Sequence, residues 1–295
     1  MEFRTDLALE AKQNLGSNLT GIEHNIKKLG DITVSKINVK TDDASYNIGK
    51  PCGNYVTIEV PALTDNFECT DKRVEIISNE LKELIPKKGL VLVAGLGNLS
   101  ITPDALGPKS ASMVLATRHI IGEIARSTGL EALRPVAVIS PGVLGKTGIE
   151  TGELIFSVSE KLKPSCVIAI DALASRELKR LGCTVQISDT GISPGSGIGN
   201  HRLKIDKSSL GIPVIGMGVP TVVDASTLAM DLIHHDSDET RNKLKEKVSP
   251  RGESMIVTPR EIDLLIERAS KLIGMSINCA LHPDFSPNDL FSLVS

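Results

Sequence analysis

The sequence predicts an α/β fold in which a mostly parallel sheet is covered by helices on both faces. From residue 89 onward, short apolar runs alternate with glycine-rich turns and with segments of helical periodicity. Runs that are apolar at every position are typical of strands buried on both sides, and their alternation with helices is typical of parallel sheets. The weaker pattern before residue 89 predicts extra N-terminal strands and a helix.

The elements follow from these patterns in chain order. Loose helical periodicity covers 7–29, and alternating apolar residues predict strands at 32–39 and 56–60. Thr70 is a candidate cap of a helix that runs to Leu84. The apolar runs that predict sheet strands are 90–93, 136–139, 167–170, 185–187 and 214–217, and the helices between and after them are predicted at 108–124, 153–162, 223–233 and 258–273. The charged stretch 236–251 is predicted to be a solvated helix and turn.

Composition argues against a nucleic-acid-binding, disulfide-bonded, metal-binding or membrane protein. The chain has 295 residues, with 33 basic and 36 acidic side chains, so it lacks the basic field that nucleic-acid binding requires. Aromatic residues make up 2% of the chain, too few for base-stacking platforms. The five cysteines form no CxxC pair, and the pair His234-His235 is no convincing metal site. No stretch approaches a membrane span. We therefore expect a cytoplasmic protein without disulfides, metal, cofactor or membrane contact.

Two aspartates are the candidate catalytic residues. Parallel sheets bind ligands beyond the carboxyl ends of their strands. Asp104 lies in the loop after the first buried run, and Asp171 directly follows the run 167–170. A different interpretation is that Asp104 caps the following helix and that Asp171 binds loop amides.

Two other motifs, a partial P-loop and a G-x-S-x-G match, give only weak support for nucleotide binding or serine hydrolysis. Gly145-Lys146-Thr147 is similar to part of a phosphate-binding P-loop, but Ser140 stands where the motif begins with glycine. A degenerate nucleotide binder stays an alternative. The segment 191–195 matches G-x-S-x-G, yet Pro194 has no N–H for an oxyanion hole, which disfavours a serine hydrolase.

Four blocks in order carry a family resemblance. They are 95–98 with 102–108, 170–174, 189–200 and 218–225. Together they resemble the spore germination proteases, atypical aspartic endopeptidases related in fold to hydrogenase-maturation proteases. The resemblance implies degradation of small acid-soluble spore proteins in the spore core, a homotetramer, no metal, and Asp104 and Asp171 as the catalytic pair. The alternative is a non-catalytic protein that binds spore proteins or serves assembly.

The resemblance also implies self-processing. Substrates of the family are cut after the first acidic residue of a motif like Thr-Glu-Phe-Ala-Ser-Glu, and this chain carries Thr5-Asp6-Leu7-Ala8-Leu9-Glu10. We therefore predict a cut between Asp6 and Leu7, which separates a propeptide 1–6 from a single peptidase domain 7–295 with its core at about 85–275. The alternative is a helix start capped by Thr5 or Asp6.

Preference for an acidic residue before the cut requires a cationic subsite. Arg202 is the candidate cation at the end of a glycine-rich loop, and His201 is a candidate site residue beside it. Gly195 and Gly197 in the same loop would let the backbone approach a bound peptide closely.

Overall fold

The computed structural model describes residues 5–13, 15, 20–65, 68, 71–194, 203–232 and 255–294. Within these ranges the strands form one nine-stranded sheet. The strands are β1 (Ile22–Leu29), β2 (Ile32–Val39), β3 (Gly53–Glu59), β4 (Val91–Gly95), β5 (Val136–Ile139), β6 (Cys166–Ser175), β7 (Thr184–Ser188), β8 (Val214–Asp224) and β9 (Ile256–Val257).

Helices connect these strands and follow them. They are α1 (Ala8–Gln13), α2 (Asp42–Ile48), α3 (Lys72–Leu84), α4 (Leu106–Ser112), α5 (Glu123–Thr128), α6 (Leu144–Thr147), α7 (Thr151–Leu162), α8 (Lys207–Leu210), α9 (Ala225–Leu232), α10 (Ile262–Leu281) and α11 (Pro287–Val294). Two short 3-10 turns add Thr102–Asp104 and Leu178–Arg180. No helix in the described ranges has both the length and the apolar character needed to cross a membrane.

The sheet has a parallel half and an antiparallel half. Strands β5, β4, β6 and β8 are parallel neighbours in that order. Strand β7 runs antiparallel to β8, and the sheet continues through β3, β2 and β1 as antiparallel neighbours. The predicted α/β class is confirmed, but the sheet is mixed rather than mostly parallel, because the predicted N-terminal strands extend it with antiparallel pairings. The run 185–187 is a strand as predicted, but it begins the antiparallel half.

Helices cover both faces of the sheet. On one face, α3, α4 and α10 pack on a large apolar cluster that includes Ile168 and Ile170 of β6. On the other face, Ile155 of α7 and Leu210 of α8 pack on Val167 and Ala169 of the same strand. The helices α1 and α2 pack on β2 and β3 beside them. Alternation along a strand therefore sets Asp171 on the face of Ala169.

Two predicted helices are shorter in the structure. The helix predicted at 7–29 ends at Gln13, and 22–29 forms β1. Because β1 is an exposed edge strand with mostly polar residues, its sequence lacks the alternation of apolar and polar residues that predicts a strand. The helix predicted at 108–124 ends at Ser112, because the side chain of Asn278 binds Met113 O and Leu115 N and turns the chain.

The C-terminal helix begins at Ile262, after the predicted start at 258, and runs past 273 to Leu281. The stretch 236–251 lies outside the described residues.

His282 makes stability depend on pH. Its side chain is buried, its Nδ1 accepts the backbone N–H of Arg134 at 3.3 Å, and burial lowers the pKa of His282 to about 4. The unfolded chain binds this proton near pH 6.5, so the stabilisation is complete above that pH and is lost as pH falls toward 4. Between pH 7 and pH 5, the free energy of unfolding should fall by about 2 kcal/mol less in His282→Gln than in the unmodified chain, as measured by urea unfolding. An equal loss in both proteins would contradict this assignment.

Candidate active site

Asp171 lies where the parallel half of the sheet narrows. The last residue of β4, Gly95, pairs with Ile170, so Asp171 is the first residue of β6 beyond the end of β4. The sequence places Asp171 directly after the apolar run 167–170 and so predicts that the strand ends there, which is wrong, because β6 continues to Ser175. The long strand β8 pairs with residues 171–175 and extends β6 past this point. Asp171 is buried and is aligned with Gly218 of β8.

Asp104 ends the 3-10 turn between β4 and α4. Its Oδ2 accepts the backbone N–H of Asn98 at 2.7 Å, which closes the loop that leaves β4. The interpretation of Asp104 as the cap of α4 is wrong, because Ala105 occupies the N-cap position of that helix and no side chain caps it. The Oδ1 of Asp171 accepts the backbone N–H of Ala172 at 2.9 Å, and Ala172 belongs to β6 rather than to a loop.

Close backbone contacts hold the two acidic residues at the same sheet edge. Leu96 N donates to Ile170 O at 2.8 Å, which ties the loop after β4 to the residue before Asp171. At Gly97 the φ angle is +115°, and a Cβ there would stand 2.1 Å from Asp104 O, so only glycine fits. The 3-10 turn of Asp104 contacts both β6 and β8, and Thr221 Oγ1 of β8 donates to Pro103 O at 2.8 Å. The loop that carries Asp104 therefore lies against β6 and β8 beside Asp171.

The predicted cut site lies on the same part of the sheet. Asp6 N donates to Ala174 O at 2.9 Å, and Ala174 N donates to Asp6 Oδ2 at 2.8 Å. The carbonyl oxygen of Asp6 accepts Gln186 Nε2 at 2.8 Å and Lys50 Nζ at 3.1 Å. Both the backbone and the carboxylate of Asp6 are thus bound to Ala174, which follows Asp171 by three residues on β6.

The residues after the predicted cut are buried. Leu7 and Ala8 are fully buried, and Ala8 N donates to Gln186 Oε1 at 2.8 Å. The buried carboxylate of Glu10 accepts Arg176 N at 2.7 Å and Glu177 N at 3.0 Å, and it pairs with Arg180. Both acidic side chains of the motif Thr5–Glu10 therefore bind backbone amides of the segment that follows Asp171.

Burial shifts the pKa values of Glu10 in this segment and of Lys50 beside it. Burial raises the pKa of Glu10, although hydrogen bonds from Thr5, Arg176 and Glu177 and the charge of Arg180 oppose the rise. Burial lowers the pKa of Lys50, although the carboxylates of Asp6 and Glu10 oppose the fall. The N-terminal segment thus places opposite charges together in a poorly solvated site.

Comparisons with known proteins identify the family. A model of the germination proteases matches residues 2–235 and 232–292. The chain belongs to the germination protease family. It is similar to a germination protease of Clostridium perfringens (42% identity, 97% of each chain), one of Caldanaerobacter subterraneus subsp. tengcongensis (41%, 99% of this chain and 98% of the relative) and one of Geobacillus sp. (36%, 95% and 93%). Family membership confirms that it is a peptidase, so its substrates are proteins.

One solved structure shows a weaker likeness. The NiFe hydrogenase maturation protease HycI from Thermococcus kodakarensis KOD1 aligns with a TM-score of 0.36 at 16% identity, covering 67% of this chain and 98% of the other. A likeness at this level carries no argument about the reaction of this germination protease family member.

The candidate substrate-binding residues Gly195, Gly197, His201 and Arg202 lie outside the described residues. The preceding part of their loop is described. The carboxylate of Asp189 accepts both Asn54 N at 2.8 Å and Asn54 Nδ2 at 2.7 Å, which fixes the start of the loop against β3. Among the described residues, no group of three or more His, Cys, Asp or Glu side chains could hold a metal ion.

Sequence reasoning missed three residues that hold the N-terminal segment of this peptidase. Gln186 is a polar residue inside the apolar run of β7, a signal that could have been noticed. Arg180 is a buried cation that pairs with Glu10, and Lys50 contacts the carbonyl of Asp6. Nothing in the local sequence of Lys50 or Arg180 indicates these contacts, because their partners lie far away along the chain.

Proposed function

We propose that this germination protease family member is an endopeptidase of small acid-soluble spore proteins that acts in the spore core and uses Asp104 and Asp171 to activate water. The observation that supports this proposal is the contact of the loop that carries Asp104 with β6 and β8 beside Asp171. Contacts of Leu96, Gly97 and Thr221 hold the loop of Asp104 at the step where β4 ends and β6 continues through Asp171. No second function is favoured by a described contact.

Two neighbouring carboxyls suit peptide hydrolysis. Two carboxyls that share a site do not both ionise easily, so the pKa of one falls and that of the other rises. In the proposed reaction, the ionised carboxylate takes a proton from water while the neutral carboxyl polarises the scissile carbonyl. Because two interacting carboxyls share their proton, the proposal assigns the two roles to the pair rather than to one aspartate.

We further propose that the chain is made as a zymogen that cuts itself between Asp6 and Leu7. Two features support this cut. The motif Thr5–Glu10 has acidic residues at the positions where family substrates have them, and the structure binds Asp6 through Ala174, close along β6 to Asp171. The contact of Thr5 Oγ1 with Leu7 N at 3.0 Å also agrees with the alternative, a helix start that precedes α1.

Incubation of the purified chain with a Thr-Glu-Phe-Ala-Ser-Glu peptide tests both proposals in one experiment. We expect mass spectrometry to find a cut after the first Glu of the peptide and a new N-terminus at Leu7 of the protein. A parallel sample with a chelator should give the same products. Absence of both cuts would contradict the proposed function, whereas a cut peptide with an intact N-terminus would contradict only the self-processing.

The proposed assembly is a homotetramer, which the family resemblance implies. Light scattering during size-exclusion chromatography would show a mass of about four chains. A monomeric mass at the concentration that supports cleavage would contradict it.

A further inference from the structure

The carbonyl at the proposed cut has an unusual pair of partners. Gln186 Nε2 and Lys50 Nζ donate to Asp6 O at 2.8 and 3.1 Å, and Lys50 Nζ also donates to Thr5 O at 3.2 Å. An oxyanion site requires donors at about 2.7–3.1 Å from the position that the oxyanion will occupy, and these two donors already contact the carbonyl oxygen that would become it. A peptide carbonyl that merely anchors a strand normally accepts a backbone N–H instead, as Ala174 O does from Asp6 N.

The first donor is fixed in place. Gln186 is almost fully buried in β7, and its Oε1 accepts the N–H of Ala8 at 2.8 Å. One side-chain amide therefore contacts the backbone on both sides of the Asp6–Leu7 bond. Because its oxygen is already bound, its Nε2 is directed at the Asp6 carbonyl without reorganisation when charge develops there.

The second donor supplies positive charge. Lys50 follows the C-terminal end of α2, and its ammonium interacts electrostatically with the carboxylates of Asp6 and Glu10. Burial lowers its pKa, and these two carboxylates stabilise its protonated form. A cation in a poorly solvated position interacts with a developing oxyanion more strongly than the same cation in water does.

The cut bond lies over the same sheet face as Asp171. Gln186 aligns with Gly218, and Gly218 aligns with Asp171, so Gln186 and Asp171 are two strands apart with side chains on one face. Strand spacing puts their backbones about 10 Å apart, and both side chains extend from that face. The Asp6 carbonyl, bound by Gln186, therefore lies on the part of the sheet that carries the proposed catalytic carboxyl.

We propose that Lys50 and Gln186 form the oxyanion site for self-cleavage of the Asp6–Leu7 bond. The inference rests on the proposed function. The ionised carboxylate of the proposed aspartate pair takes one proton from water, the water oxygen bonds to the carbonyl carbon of Asp6, and the carbonyl oxygen becomes the oxyanion that both donors bind. The bond from that carbon to Leu7 N then breaks, and Leu7 N takes a proton from the aspartate pair and leaves as an amine. The products are a carboxylate at Asp6 and a new N-terminus at Leu7.

The test follows the self-cleavage rate of the full chain by mass spectrometry. Lys50→Met keeps the aliphatic stem and removes the cation, and Gln186→Glu keeps an acceptor for Ala8 N and removes the donor. Each change is expected to slow the cut about 100-fold. Lys50→Arg should recover part of the rate, because it restores a cationic donor. Lys28→Met, at an exposed position of β1, is the matched control and should cut at the rate of the unmodified chain.

Hydrogen exchange separates catalysis from docking. In Lys50→Met, the amides of Ala8, Arg176 and Glu177 should stay protected, since Gln186 and Glu10 still bind them. Slow cleavage with loss of this protection would overturn the inference, because Lys50 would then only hold the segment. Cleavage of Lys50→Met at the full rate would also overturn it. An unmodified chain that cuts the peptide but not itself would remove the self-processing proposal and this inference together, while the peptidase proposal would stand.

Discussion

Replacing Asp104 or Asp171 with asparagine is expected to slow both self-cleavage and peptide cleavage by about 1,000-fold. Asparagine has nearly the same shape as aspartate, but it can neither take a proton from water nor carry the shared proton of the pair. The local fold should survive, because an amide oxygen at position 104 can still accept the N–H of Asn98. The measurement is the initial rate of appearance of the two cleavage products.

The control for this prediction is a chemically identical change elsewhere. Asp289→Asn changes an exposed aspartate in the first turn of α11, whose Oδ2 accepts the hydroxyl of Ser286 at 2.6 Å. It should leave both rates unchanged. Thermal unfolding of all variants should show that the two site changes leave the fold intact. Full activity of either site variant would contradict the two-aspartate reaction.

Combining the two substitutions tests whether the aspartates act as one unit. If each carboxyl depends on the other, the double variant should be about as slow as the slower single variant. Multiplied losses would instead indicate independent roles. In the proposed reaction the two carboxyls share a proton, so the sequence alone does not assign base and acid to one or the other.

The location of the candidate site was predictable because it depends on local patterns. Buried parallel strands read as continuous apolar runs, and the residues after such runs lie at one edge of the sheet. That reasoning reaches Asp104 and Asp171 directly. It does not predict that β6 continues past Asp171, because this extension depends on pairing with β8, more than forty residues away along the chain.

The N-terminal contacts were not predictable for the same physical reason. Glu10 binds amides at 176 and 177, and Gln186 binds the backbone of Asp6 and Ala8. These partners are separated by more than 160 residues, and no periodicity records such a pairing. The motif Thr5–Glu10 was visible in the sequence, but the sites that hold it were not.

Gly107→Ala is expected to lower the free energy of unfolding by about 3 kcal/mol and to slow cleavage about 100-fold. In an ordinary helix this change is stabilising, since alanine is the better helix former. At Gly107 of α4, a Cβ would stand 2.2 Å from Leu96 O and 2.4 Å from Ile170 O, and both are backbone atoms that cannot rotate away. The added methyl would therefore push apart the loop of Asp104 and the residue before Asp171.

Gly145→Ala provides the matched control, because Gly145 also lies in a helix, α6, and a Cβ there would meet nothing within 4 Å. It should leave stability unchanged or raise it by up to about 1 kcal/mol, measured by urea unfolding. If Gly107→Ala were as stable and as active as Gly145→Ala, then α4 would not hold the two loops in contact. The shared sheet edge would then lose the packing that brings the two aspartates to one place.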